Sequence, residues 1–67
     1  MTRQEAMALL ISKPNTKVRH HNFSNGDFVY INDERQFKDE ENGFVIWDEF
    51  WTMRQGGQWE NDWTVVE

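Results

Sequence analysis

The chain opens with apolar residues at helical spacing. Ala6, Leu9 and Leu10 recur three and four positions apart, with Met7 and Ile11 on the flanks, so the pattern predicts an amphipathic helix reaching about Ser12. Thr2 followed by Glu5 forms a capping box, in which hydroxyl and carboxylate each satisfy a backbone N–H that has no partner inside the helix. Lys13 and Pro14 end the helix, because the residue before a proline is pushed out of helical angles. The rhythm then shortens to two. In "TKVRHHNF" an extended chain places Val18 and His20 on one side and Lys17, Arg19 and His21 on the other. "SNGD" predicts a two-residue hairpin turn, since Asn-Gly accepts the left-handed angles it needs, and "FVYI" makes residues 27–32 a second strand.

From Asp33 to Gly43 the run "DERQFKDEENG" carries no such rhythm and reads as a charged loop or long hairpin connection, the most mobile part of the chain. "FVIW" predicts a third strand, and Asp48 stands where a carboxylate caps a turn. For residues 48–54 a short helix and an extended edge both fit, as Phe50, Trp51 and Met53 do not discriminate. "RQGGQ" is a flexible turn and "DWTVVE" a last strand. These elements compose one α+β domain over residues 1–67: an N-terminal helix packed on a small antiparallel sheet of three to four strands.

A chain of 67 residues encloses only a small core, and with no cysteine it has neither disulfides nor thiolate metal sites to brace it. Aromatic residues, at 15%, take over that task, so Trp47 and Trp63 are expected to hold the sheet to the helix. Stability is then marginal or shared with a second copy. The sequence contains no apolar run of membrane-spanning length, which points to a soluble protein of the cell interior. The net charge of −5 argues against general affinity for nucleic acid phosphates.

Against that acidic background the basic residues stand out. Lys17, Arg19 and Arg54 are candidates to meet a phosphate, the alternative being surface ion pairs with the many carboxylates. His20 and His21, adjacent on a strand, point to opposite sides and cannot chelate one metal; without a nucleophile nearby, a structural or surface role fits them better than catalysis. Trp51 and Trp59 flank the glycine turn, and three roles stay open for their indoles: packing in the core, anchoring an interface or stacking on a base. The carboxylates Asp33, Glu34, Asp39, Glu40, Glu41, Asp48 and Glu49 form a solvated face, or an array that imitates phosphates and occupies a partner's basic groove.

"EAMALL" in the first helix, "KVRHHNF" after the break, an aromatic strand behind a glycine turn and the closing "DWTVVE" together resemble the second type of Thoeris anti-defence protein, a family of small phage proteins. The resemblance spans most of the chain, with Phe23 standing where relatives usually carry tryptophan. It implies an α+β protomer that forms homo-oligomers and binds a cyclic nucleotide immune signal, a cyclised ADP-ribose derivative, between subunits in the host cytoplasm. It also implies sequestration without hydrolysis, hence no enzyme and no cofactor. By position, Arg19 matches the family's basic residue, Phe23 its aromatic one and Asp62-Trp63 its terminal motif. The expected ligand-binding set is Lys17, Arg19, His20, Phe23, Trp51, Arg54 and Trp59. The alternative is a small acidic inhibitor of a host protein, steered by Asp39, Glu40, Glu41, Asp48 and Glu49 and anchored by Trp51 or Trp59.

Overall fold

A computed structural model describes all residues from Met1 to Glu67. The first helix, α1, spans Arg3–Ser12. Its start is the capping box: Thr2 Oγ1 accepts from the Glu5 N–H at 3.1 Å, and Glu5 Oε1 accepts from the Thr2 N–H at 2.8 Å. Ala6 and Leu10 are fully buried, while Ile11 lies outside the apolar stripe. Past Pro14 the chain doubles back through Asn15, whose φ is 69°, and the Asn15 N–H donates to Ile31 O. The helix is thereby stitched to the sheet.

Four short strands follow: β1 (Val18–His20), β2 (Val29–Ile31), β3 (Phe37–Asp39) and β4 (Trp63–Val65). They lie in the order β3-β2-β1-β4, every neighbour antiparallel. The α+β class and the lone N-terminal helix over the sheet are as the apolar pattern predicts. A second helix, α2 (Trp47–Thr52), and a 3-10 turn at Gly57–Glu60 pack beside it.

Three local expectations are corrected. Asn25-Gly26 does turn, with the Asp27 N–H donating to Ser24 O, but only Gly26 takes a left-handed angle (φ 86°). A tight hairpin needs a primed turn that matches strand twist. This turn instead caps a wide excursion from His21 to Phe28, and β1 and β2 share the single pair Val18↔Val29.

The charged stretch 33–43 contains a strand, β3. Asn32 makes this possible: its Oδ1 accepts from the N–H groups of Glu34 and Gln36, closing the turn from β2, and Tyr30↔Lys38 then pair across the hairpin. Side chains of this type supply the turn bonds that the backbone otherwise lacks. Asp39 repeats the device, accepting from Glu41 and Gly43 N–H. Glycine at 43 leaves room for this carboxylate, since a Cβ there would lie 2.9 Å from Asp39 Oδ2 and push it aside.

"FVIW" is not a strand. Phe44 makes one bridge to Lys38 and the Val45 N–H donates to Phe37 O, after which Ile46 becomes the residue before α2. Trp47, Phe50 and Trp51 carry the spacing i, i+3, i+4, and that face packs inward: Phe37 meets the rings of Trp47 and Phe50 at 5.0 and 5.3 Å, edge to face. Burying three large rings at helical spacing outweighs the β-preference of the preceding residues.

The core comprises Ala6, Leu10, Val18, Val29, Phe37, Phe50, Trp51 and Trp63, with Met1, Met7, Leu9, Phe23, Ile31, Val45, Trp47 and Trp59 packed around it. Both helices lie on this side of the sheet. The opposite side has no element over it.

Candidate ligand-binding sheet face

The uncovered side of the sheet is built by strand alternation. Val18 and His20 point into the core, so Lys17, Arg19 and His21 point away from it. Register extends this row across the sheet. Arg19 pairs with Thr64 on β4, and Tyr30 pairs with Lys38 on β3. Phe28 and Tyr30, two apart, keep to one side with ring centroids 6.1 Å apart. Lys17 Nζ sits 4.8 Å from the Phe28 ring centroid, and Lys38 Nζ reaches the Phe44 ring at 4.2 Å and Asn42 O at 3.2 Å. Three of the chain's seven Lys and Arg residues therefore share an open face with His21 and two aromatic rings.

Arg19 holds the centre of that face. One Nη donates to Phe23 O at 2.9 Å and more weakly to Ser24 O, which ties the guanidinium to the His21–Phe28 excursion. Its Nε is buried and has no partner among the protein's own groups. Arg19, His21, Asp62 and Thr64 line a polar concavity of about 300 Å³. Asp62 adopts φ 69°, and its carbonyl accepts from the His21 N–H, which fixes the rim. The concavity offers a fork-shaped cation, an imidazole and a hydroxyl beside the Asp62 carboxylate, and the rings of Phe28 and Tyr30 lie outside it on the same face.

The expected ligand residues divide between this face and the interior. Lys17 and Arg19 lie on the face. His20 does not: it is 1% exposed, its Nε2 is 2.9 Å from Gln58 O and 2.8 Å from Asn61 O, and its Nδ1 accepts from the Asn22 N–H. Those partners require the hydrogen on Nε2, and they make the ring a clamp between β1 and the 3-10 turn. Trp51 is on α2, the helical alternative for residues 48–54, and is 2% exposed, with its ring 4.9 Å from that of Trp63. Neither side chain can touch a ligand without unfolding. Trp59 is half-buried against His20 at 4.4 Å, and its carbonyl accepts from the Trp63 indole N–H.

Phe23 and Arg54 belong to a second region. The Arg54 guanidinium lies 4.1 Å from the Phe50 ring centroid and within 6 Å of Trp59 and Phe23, while Nη1 donates to Phe50 O. Burial lowers its pKa from the ordinary arginine value. Surface ion pairs, the alternative reading of the basic residues, are not what the arginines make. Arg3, Arg19 and Arg54 all spend their hydrogen bonds on backbone carbonyls.

Of the carboxylates, Glu41, Asp48 and Glu49 are exposed, and Asp39 and Glu40 half-buried. No group of three or more His, Cys, Asp and Glu side chains is placed to hold a metal ion. No helix is long and apolar enough to cross a membrane. Sequence reasoning did not single out Phe28, Tyr30, Lys38 and Thr64 for this face. For the first two, the alternation in "FVYI" is a visible signal; for the others the register is needed, and that is set by turns. Comparison of the chain with models of protein families, with curated proteins and with solved structures finds no match.

Proposed function

We propose that this protein is a phage counter-defence factor that binds a cyclic nucleotide signal in the host cytoplasm and withholds it, intact, from an immune effector. The observation that carries the reading is the sheet face itself: an acidic chain gathers Lys17, Arg19, Lys38 and His21 beside Phe28 and Tyr30 on its one uncovered side. Cations beside aromatic rings are the complement of a ligand that has phosphates at one end and a base at the other. The resemblance to Thoeris anti-defence proteins supports the same ligand class, and with it assembly into homo-oligomers whose subunits share the ligand. The proposed activity is binding without hydrolysis: of the two histidines offered for chemistry, His20 holds the fold, and His21 remains on the face.

Calorimetric titration with a cyclised ADP-ribose derivative and with cyclic dinucleotides tests the reading. Saturable binding is expected, with the same nucleotide recovered by mass spectrometry after the protein is denatured. Lys17→Glu, at an exposed position, should weaken it by about tenfold or more, since a charge-assisted contact is replaced by repulsion. Recovery of a cleaved product would make the protein an enzyme. Absence of binding to every nucleotide tried would remove the reading in favour of inhibition by direct docking on a host protein.

A further inference from the structure

A second surface lies beside α2, and it meets the sheet face only at its edges, at Phe28 and where Lys38 Nζ reaches the Phe44 ring. Phe44, Ile46 and Met53 are 72%, 66% and 69% exposed, a high degree for large apolar side chains in so small a protein. They stand around a concavity of about 280 Å³ floored by Val45 and Phe50. A neighbouring concavity of similar size shares Val45, Phe50 and Arg54 and continues to Phe28. The two form one apolar trough along α2.

Its rim is acidic. Glu49 lines the first part, and Asp27, Asp39 and Glu40 line the second. The hydrogen bonds that Asp39 and Glu40 accept come from backbone N–H groups of Glu41, Gly43 and Phe28, so their charge is not matched by a basic side chain there. The cations nearby, Arg54 and Lys38, are occupied with the rings of Phe50 and Phe44 and with the carbonyls of Phe50 and Asn42.

We infer that this trough docks a polypeptide segment of another protein that presents two or three apolar side chains flanked by lysine or arginine. Apolar residues supply the affinity, and the carboxylate rim orients the segment and speeds its arrival. The same rim repels nucleic acid and anionic lipid. It also disfavours a second copy seated trough to trough, since two-fold pairing would set Glu49 and its neighbours against their own equivalents. The inference goes beyond nucleotide binding and does not depend on it.

The test uses the full chain and two synthetic twelve-residue helical peptides with identical leucines, one carrying lysine at every polar position and the other glutamate. The lysine peptide should bind, shift amide resonances over residues 44–54, and weaken several-fold when salt is raised from about 50 to 300 mM, as ionic screening requires. The glutamate peptide should not bind. Ile46→Asp should reduce the lysine peptide's affinity at least tenfold although it adds a negative charge, because the apolar contact is what it removes. Aspartate suits the position before a helix, so the variant keeps its fold. Met53→Ser should act in the same direction.

The inference is overturned if the lysine peptide binds Ile46→Asp as well as it binds the native protein, or if the shifts fall on Lys17, Arg19, His21 and Thr64. Equal binding of both peptides overturns it too, as that is unselective stickiness. Self-association that Ile46→Asp abolishes would assign the trough to a second copy instead.

Discussion

His20 shows how far a side chain's chemistry depends on where its strand turns it. A histidine beside an arginine in an acidic chain invites a functional role, yet one step of strand alternation sends it inward, where it makes contacts at both ring nitrogens. Replacing it by phenylalanine preserves shape but leaves the Asn22 N–H and the carbonyls of Gln58 and Asn61 short of a partner. Each such group costs about 1–3 kcal/mol when fully buried, and less here, where Asn22, Gln58 and Asn61 are exposed. His20→Phe is therefore expected to lose on the order of 1–2 kcal/mol in urea unfolding, and no ligand should restore it. A loss below about 0.5 kcal/mol would show that the clamp is dispensable. Arginine behaves in the same manner: Arg3 bonds the carbonyls of Arg54 and Trp51, joining α1 to the end of α2. Such bonds to carbonyls leave no trace in sequence, whereas opposite charges do, which is why the basic residues read as ion-pair candidates.

At the level of elements, α1 was legible because its capping, its apolar spacing and its stop all act within one short segment. Its start also carries a titratable lock. Backbone and side-chain hydrogen bonds with Thr2 hold the Glu5 carboxyl below its ordinary pKa of 4.5. A carboxylate depressed in the folded state stabilises above its unfolded pKa and loses that contribution as pH falls through the folded value. The melting temperature of the native protein should thus exceed that of Glu5→Gln at neutral pH, and the gap should close as the pH falls below the ordinary value of 4.5 and through the lower folded one. A gap that does not vary with pH would exclude the lock. Thr2→Ala should cost about 1 kcal/mol, the usual value of an N-cap side chain. The β2–β3 hairpin was not legible, and α2 only in part, as one of two alternatives for residues 48–54 and without its first turn. The hairpin is closed by the side chains of Asn32 and Asp39 within a stretch whose charge suggests a loop. In α2 the ring spacing begins at Trp47, a residue that the run "FVIW" claims for a strand.

For the whole molecule, the sequence conveyed the layer count, the small core and the place of Trp63 in it, but it left Trp51 open. Trp51 and Trp63 are inside, and Trp47 and Trp59 are partly covered. Trp→Ala at a buried site costs about 3–5 kcal/mol, and a chain of this length has a total stability on the order of 5 kcal/mol. Trp51→Ala should then be largely unfolded by circular dichroism at 25 °C, while Trp59→Ala keeps its helical signal. A folded Trp51→Ala would mean that the interior repacks with unusual ease. The sheet face was half visible, since alternation gives Lys17, Arg19 and His21, but the pairing that brings Tyr30 and Thr64 alongside arises only from turns. The four indoles also form an unbroken file, with centroids 5.6 Å apart from Trp47 to Trp51, 4.9 Å from Trp51 to Trp63 and 6.1 Å from Trp63 to Trp59. Chromophores at such separations share absorbed light, so the emission and the near-ultraviolet dichroism of this protein belong to the quartet and not to its members. Quenching at Trp59 would dim all four at once.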